Sequence, residues 1–554
     1  MSGATLAATL FAAVTATSAA DTAALYERLS PQHLRQTVER CPVAWIPEGI
    51  LEWHGEQSAC GLDALKAETL CRMAAGLCGG VCFPTLWLGP DASTPFDPTK
   101  YPRGTLTIPK DLYYRVAEQM LERIESMGFR VAVYLSGHYP AVIPEVVAQW
   151  NRRGRMHVIN VSENQVVQGM PAGDHAAAWE TALLMVLRPG LVDMTRLPPL
   201  SPTTRPAGDR IPPDEPFLPR SEYYGVYRSD PRVWAGTYYG RRGVEAVLDG
   251  LAHEVGKALR DSAFGRKGRP IVWPEDTRRP PEVRYDHLLP YQWLARFEDA
   301  PIVYWPLPGA AADLERATRE AVGLAHRHGG LVFPALVYGG PQGSDLGVPR
   351  DTMREVVQVV LVRLIDMGFR AVMLLQDGDA RDTQLEASLR TSGSSGVGCV
   401  VRLVDPQAAD GAMPALLRTV VPQDAKTLPL DDGWTVNGGW HVASLREVVY
   451  GAPGERCVYE RGFVLSEAEA NGHVLLDLGG VENRCEVFLN DLATPVATRH
   501  FPPYRFALDG RLRSGSNVLK VSIQHRPQDG LDHFFYRSGP PRLRGPVVLR
   551  LWTP

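Results

Sequence analysis

The chain has 554 residues, of which 45% are hydrophobic and 22% charged, with a formal net charge of -4. This is too long for one hydrophobic core, and the composition excludes a disordered or fibrous chain and predicts a soluble globular protein of several domains. The near-neutral balance, with no basic run interleaved with aromatics, argues against nucleic acid, and no apolar run reaches the roughly 18 residues of a membrane span, so neither is expected as a partner.

Residues 1–24 are small and apolar and contain no Lys or Arg. They read as an N-terminal extension in a cytoplasmic protein. A signal peptide, with periplasmic or secreted location, is the alternative, but its n-region normally carries positive charge. From Pro42 onward short apolar runs alternate with helical patterns: VAWIP, a helix over 63–77, VCFPTLWL, a helix over 110–127, RVAVYLSG, a further helix, MHVINV, and a helix over 175–187. This rhythm predicts a parallel sheet covered by helices on both faces, with ligands bound at the strand C-terminal ends. Residues 201–239, rich in proline and aromatics, read as a long loop, either a lid or a structural cover. The helix VEAVLDGLAHEVGKALRD closes a domain over 25–265, and a Pro/Arg-rich linker follows over 266–295.

Residues 296–422 echo the first domain. GLVFPALVYG resembles GVCFPTLWLG, LIDMGFRAVMLLQDG resembles IESMGFRVAVYLSGH, and PIVYWPLPG resembles PVAWIPEGI, which predicts a duplicated α/β unit. Aligned on its prolines, the second copy places Ala311, Asp313 and Val322 at the positions of Glu52, His54 and Asp63, and Gly378 at that of His138. A degenerate copy without a metal site is expected, serving as a wall or interface for the first. Residues 423–554 change to short strands of period two, the pattern of an all-β sandwich. The eight cysteines form no CxxC pair and read as buried thiols.

Candidate chemistry concentrates in PEGILEWHGEQSACGLDALKAETL, where Glu52 and His54 follow a buried strand and Asp63 opens a helix, from which it could bridge two ions. An isolated ExH pair more often reflects a hydrogen-bonded histidine. Two further segments shift that balance. His138 ends another strand at the same sheet edge, and GDHAAAWET sets His175 and Glu180 near a helix start. Nitrogen and oxygen donors at strand ends suit zinc, manganese or iron and not a thiolate site.

With PEGILEWHGEQSACGLD, GTLTIP, GFRVAVYLSGH and DHAAAWETALLMVLRPGLVDM in this order, residues 25–262 resemble the creatininase family. The resemblance implies a three-layer αβα domain with two divalent ions, zinc first with manganese or iron as alternatives. Glu52, His54, Asp63 and His138 would be ligands, with Asp63 bridging. It implies His175 as the proton-transfer residue. Creatininase proper carries a ligand Glu two places after the strand-end histidine, and here Pro140 stands there, so Glu180 is taken as the acidic ligand of the second metal and as a catalytic residue. Gln57 also replaces a histidine common in the first motif. The expected activity is hydrolysis of a small amide, cyclic amide or formamide by a metal-bridged hydroxide, with Tyr139 and Trp179 lining the substrate pocket. The C-terminal segments YERGFVL, LLDLGGVENRCEVFLND, PPYRFAL and LRSGSNVLKVSI resemble galactose-binding-like jelly-roll sandwiches appended to glycoside hydrolases, which leaves a glycan and a homo-oligomer as open partners. The alternative function is a noncatalytic carbohydrate-associated scaffold.

Overall fold

VAWIPE and VAVYLS are apolar on consecutive positions, as strands covered on both faces must be. In the computed structural model both are central strands. The structure describes residues 23–55, 57–91, 106–138, 143–167, 176, 178–196, 236–266, 269–271, 273, 283–307, 311–337, 348–376, 382, 384–385, 399–417, 425–445, 456–482, 484–499, 504–524 and 542–553.

In chain order the first unit comprises Ala24–Leu25 (β1), Pro31–Arg40 (α1), Val43–Glu48 (β2), Leu62–Cys78 (α2), Val81–Cys82 (β3), Pro90–Asp91 (β4), Ile108–Pro109 (β5), Lys110–Ser126 (α3), Val131–Ser136 (β6), Pro144–Arg153 (α4), His157–Ser162 (β7), Ala178–Leu187 (α5) and Thr237–Leu259 (α6). Its main sheet is parallel in the order β1-β3-β2-β6-β7, with Val43 opposite Val131 and Val131 opposite His157. Strand alternation divides the core into two layers. Val43, Trp45, Val131 and Val133 pack with residues of α2, α5 and α6, whereas Ala44, Ile46, Ala132 and Tyr134 pack with residues of α3 and α4. Of the expected VCFPTLWL strand only Val81–Cys82 pairs as a strand. Pro84 has no N–H to donate, and the chain returns to β2 through a single bridge between Leu86 and Glu48. Residues 237–239, expected in a loop, begin α6. Most of the 201–239 segment lies outside the described residues, as do 1–22.

Beyond the first unit follow Pro290–Asp299 (α7), Ile302–Pro306 (β8), Ala311–His328 (α8), Leu331–Val332 (β9), Arg350–Asp366 (α9), Ala371–Leu375 (β10), Val400–Val404 (β11) and Ala409–Leu417 (α10). This second sheet is also parallel, in the order β11-β10-β8-β9, which matches β7-β6-β2-β3 position by position. Backbone bonds agree in detail. Phe83 N donates to Trp45 O at 2.8 Å and Phe333 N to Tyr304 O at 2.9 Å, and the amides of Arg130 and Arg370 donate to the carbonyls of Pro42 and Pro301 at 2.9 and 2.8 Å.

One expectation about this unit needs correction. Four residues, 307–310, join β8 to α8, whereas thirteen, 49–61, join β2 to α2. Ala311 and Asp313 therefore lie in the first turn of α8, with Asp313 at the helix position of Asp63, and Val322 lies well inside the helix. The alignment on prolines fails because the loop that carries Glu52 and His54 has no counterpart. Gly378 lies outside the described residues.

The two units share one apolar cluster that runs from Tyr113, Val116 and Met120 to Val356, Val360 and Leu364. Here α3 packs on α9, and Arg115 Nη2 meets Glu355 Oε2 at 2.6 Å. These residues occupy matching places, each twelve residues before a Met-Gly-Phe-Arg turn (115 to 127, 355 to 367). Residues 426–552 contribute ten described strands in two antiparallel sheets of four and six, which enclose a core containing Trp434, Leu476, Val521 and Leu549. Arg370, buried at the foot of β10, lies over the Trp552 ring at 5.3 Å and joins this part to the second unit. No disulfide is present among the described residues, and no described helix is long and apolar enough to cross a membrane.

Candidate metal centre

The centre lies where β2 and β6 end beneath the first turn of α2. A Cβ on Gly49 would fall 2.3 Å from Ala64 N, and one on Gly137 would fall 2.0 Å from Asp63 O. Only hydrogen at these two positions lets the helix start settle onto the strand ends, and this approach sets Asp63 over the sheet. The Leu/Ala-rich sequence LDALKAETL favours helix here, and the positive end of the helix dipole favours the Asp63 carboxylate.

Residues 49–61 form a folded loop closed by Glu52 N donating to Cys60 O at 2.9 Å. His54 Nδ1 lies 3.0 Å from Glu52 O, which orients its Nε2 toward Asp63 Oδ1 at 3.1 Å and Glu180 Oε2 at 3.5 Å. His138 follows β6 in a turn in which Ser136 Oγ donates to His138 O at 2.6 Å. Its Nδ1 lies 3.3 Å from Glu52 Oε2 and 3.2 Å from Asp63 Oδ2. The two oxygens of Asp63 thus face different histidines, each accompanied by a second carboxylate. Glu52, His54 and Asp63 each place one ligand atom within 4.8 Å of the other two. All three are at most 2% exposed, and His138 is more open.

The electrostatics follow from packing acids and imidazoles against one another in a buried site. Burial alone would lower the pKa of His54, but the Asp63 and Glu180 carboxylates override it and raise it to about 9. His138 is likewise opposed by burial, yet its bonds to Asp63 and Glu52 raise it well above the usual range. Asp63 is raised by burial and lowered further by His54 and His138, with a net decrease. A divalent ion held among these groups would replace the protons as the positive charge, and a nitrogen and oxygen donor set of this kind suits zinc, manganese or iron.

Five of the expected site residues, Glu52, His54, Asp63, His138 and Glu180, are brought together. His175 and Tyr139 lie outside the described residues, as does Pro140. Trp179 is 2% exposed and packs edge-on against Tyr239 of α6 at 6.0 Å, within the apolar cluster between α5 and α6. Gln57 Nε2 donates to Ala176 O at 2.9 Å and so ties the ligand loop to the segment before α5.

Three charged residues at the centre were missed from sequence. Lys66, fully buried one turn after Asp63, donates to Glu180 Oε1 at 2.9 Å and pairs with Glu163. Burial lowers its pKa, but Glu163 and Glu180 raise it above its ordinary value and keep it charged. Glu48 ends β2 fully buried, and desolvation pushes its carboxyl up to about 8 against the lowering effects of Ser136 and His138. A lysine within the Leu/Ala-rich stretch LDALKAETL and an acid ending VAWIPE were the available signals.

Residues 27–255 match the family model described as "Creatininase: Creatinine amidohydrolase". A creatinine amidohydrolase of Pseudomonas putida is 25% identical over 198 residues, which span 32% of this chain and 76% of that protein. A creatininase crystal structure is 22% identical, covers 42% of this chain and 97% of its own, and has a TM-score of 0.34. A structure described as "Creatininase Mn" is 22% identical, with 42% and 98% covered and a TM-score of 0.34. By the family match, residues 27–255 are a creatininase family domain.

Proposed function

We propose that this domain hydrolyses the C–N bond of a small amide, cyclic amide or formamide at a centre of two divalent ions. The observation that carries this reading is the division of the Asp63 carboxylate, with Oδ1 toward His54 and Glu180 and Oδ2 toward His138 and Glu52. Glu52 and His138 would hold one ion, His54 and Glu180 the other, and Asp63 both. Such ions supply Lewis acidity and lower the pKa of coordinated water toward ~7. The chain's own residues set the geometry. Lys66 and the Ala176 amide, at 2.9 and 2.8 Å, orient the Glu180 carboxylate. The buried position of Glu52, His54 and Asp63 excludes bulk water from the donor atoms. His175 is the proposed proton donor to the departing nitrogen, on the resemblance alone. With Pro140 in place of an acidic ligand, creatinine is expected to turn over more slowly than the best small amide.

The second α/β unit is proposed as a copy of the first that carries no metal site, a reading supported by the shared strand order and matching backbone bonds. Elemental analysis tests the centre. Asp63→Asn is expected to lose both ions and Glu180→Gln mainly one, and unchanged metal content in folded Asp63→Asn protein would refute the dinuclear assignment.

A further inference from the structure

The ligand loop 52–61 is held from outside the family-matched segment 27–255. Cys60 N donates to Leu288 O at 2.9 Å and Gly61 N to Asp286 O at 3.0 Å, so the segment before α7 accepts the last two amides before α2. Trp53, between the candidate ligands Glu52 and His54, meets the edge of Trp293 on α7 at 6.2 Å, and Trp293 stacks on Phe297 at 5.2 Å. The Asp286 carboxylate is itself fixed, fully buried, by Arg284 at 2.8 Å and His287 at 3.3 Å. Buried backbone donors need partners, and two donors of this loop find them on residues that follow the matched segment.

We propose that residues 283–299 are a positioning element for the metal-ligand loop, a wall supplied by the chain's own downstream part that holds Glu52, His54 and Asp63 in register. Gly61 shows how close the contact is. Its backbone, at φ -95° and ψ 18°, suits alanine, yet a Cβ there would lie 2.6 Å from Asp286 O and 2.8 Å from Asp286 Cβ. Gly61→Ala therefore attacks the wall and leaves the loop's own conformation permitted.

The metal part of this inference rests on the proposed dinuclear centre, and the exchange part does not. In the full-length protein, hydrogen exchange of the peptide spanning 57–62 is measured alongside cobalt(II) titration and the visible spectrum of the bound cobalt. Gly61→Ala is expected to speed exchange at least tenfold, weaken cobalt binding at least tenfold and alter the cobalt spectrum. Asp286→Asn should do the same to a smaller degree, and it decides the matter if Gly61→Ala does not fold. Ile124→Ala, a core truncation on α3, should leave loop exchange and the cobalt spectrum at wild-type values. A folded Gly61→Ala protein with exchange and affinity within twofold of wild type, or an Ile124→Ala protein that loosens the loop equally, would overturn the inference. If wild-type protein binds no cobalt, the metal reading fails, and the exchange result alone decides the role of residues 283–299.

Discussion

Replacing Lys66 with methionine keeps the length of the side chain and removes the one ammonium that faces Glu163 and Glu180. Both acids are essentially buried, at 0 and 1% exposure. Removing one member of a buried ion pair typically costs about 3–5 kcal/mol, because the remaining charge keeps its desolvation cost without its partner. Glu180 would keep its contacts with the Ala176 amide and His54, so the loss should fall mainly on the Glu163 side. In chelator-treated protein, where no metal compensates, Lys66→Met should therefore unfold the first unit about 3–5 kcal/mol more easily near pH 7. Adding Glu163→Gln should recover part of the loss. The two α/β units and the β-rich part need not unfold in one step, so the transition is best followed by hydrogen exchange of β2 amides in denaturant. A loss under about 1 kcal/mol would refute the buried-charge account.

The raised pKa of His54 predicts a pH slope for the metal-free protein. Protonation of His54, favoured by Asp63 and Glu180 against burial, contributes stability that is fully present below the unfolded value of about 6.5 and lost as pH rises through about 9. The shift corresponds to about 3 kcal/mol. Melting temperatures of chelator-treated protein should fall across that window, and saturating zinc should flatten the profile because a metal needs the neutral imidazole; a flat metal-free profile would count against the arrangement. Arg115→Glu or Glu355→Arg alone should destabilise modestly and the double exchange should restore stability. Because the two side chains are 42% and 46% exposed, the coupling in a double-mutant cycle should stay under about 1 kcal/mol.

The parallel sheet was legible because VAWIPE, VAVYLS and HVINVS are apolar runs of strand length separated by helical periods. The five candidate ligands that the structure brings together could be picked out because Asp63, His138 and Glu180 lie at helix starts or just past a strand end, and Glu52 and His54 in the loop that leaves β2. Lys66 and Glu163 were not legible, since their pairing joins α2 to the end of β7 and nothing local marks it. The register of the second unit was misread for a physical reason. Proline positions fix the strands, but a nine-residue difference in the following loop, thirteen against four, shifts everything placed after it. The support from Asp286 and Leu288 could not be seen either, because a backbone carbonyl carries no sequence signature.

The contact between Arg115 and Glu355 bears on how such a seam can change. Two identical subunits that meet at the same helix present each residue near the symmetry axis to its own duplicate, so an arginine there would face an arginine. Within one continuous chain the two sides are separate codons, and opposite charges can stand at matching places. A free molecule that offered its α3 to another α3 would set Arg115 against Arg115, a like-charge pair that makes such a contact slightly weaker than the tethered one. Each side is then free to change alone, as the four-residue connection after β8 against the thirteen residues after β2 illustrates.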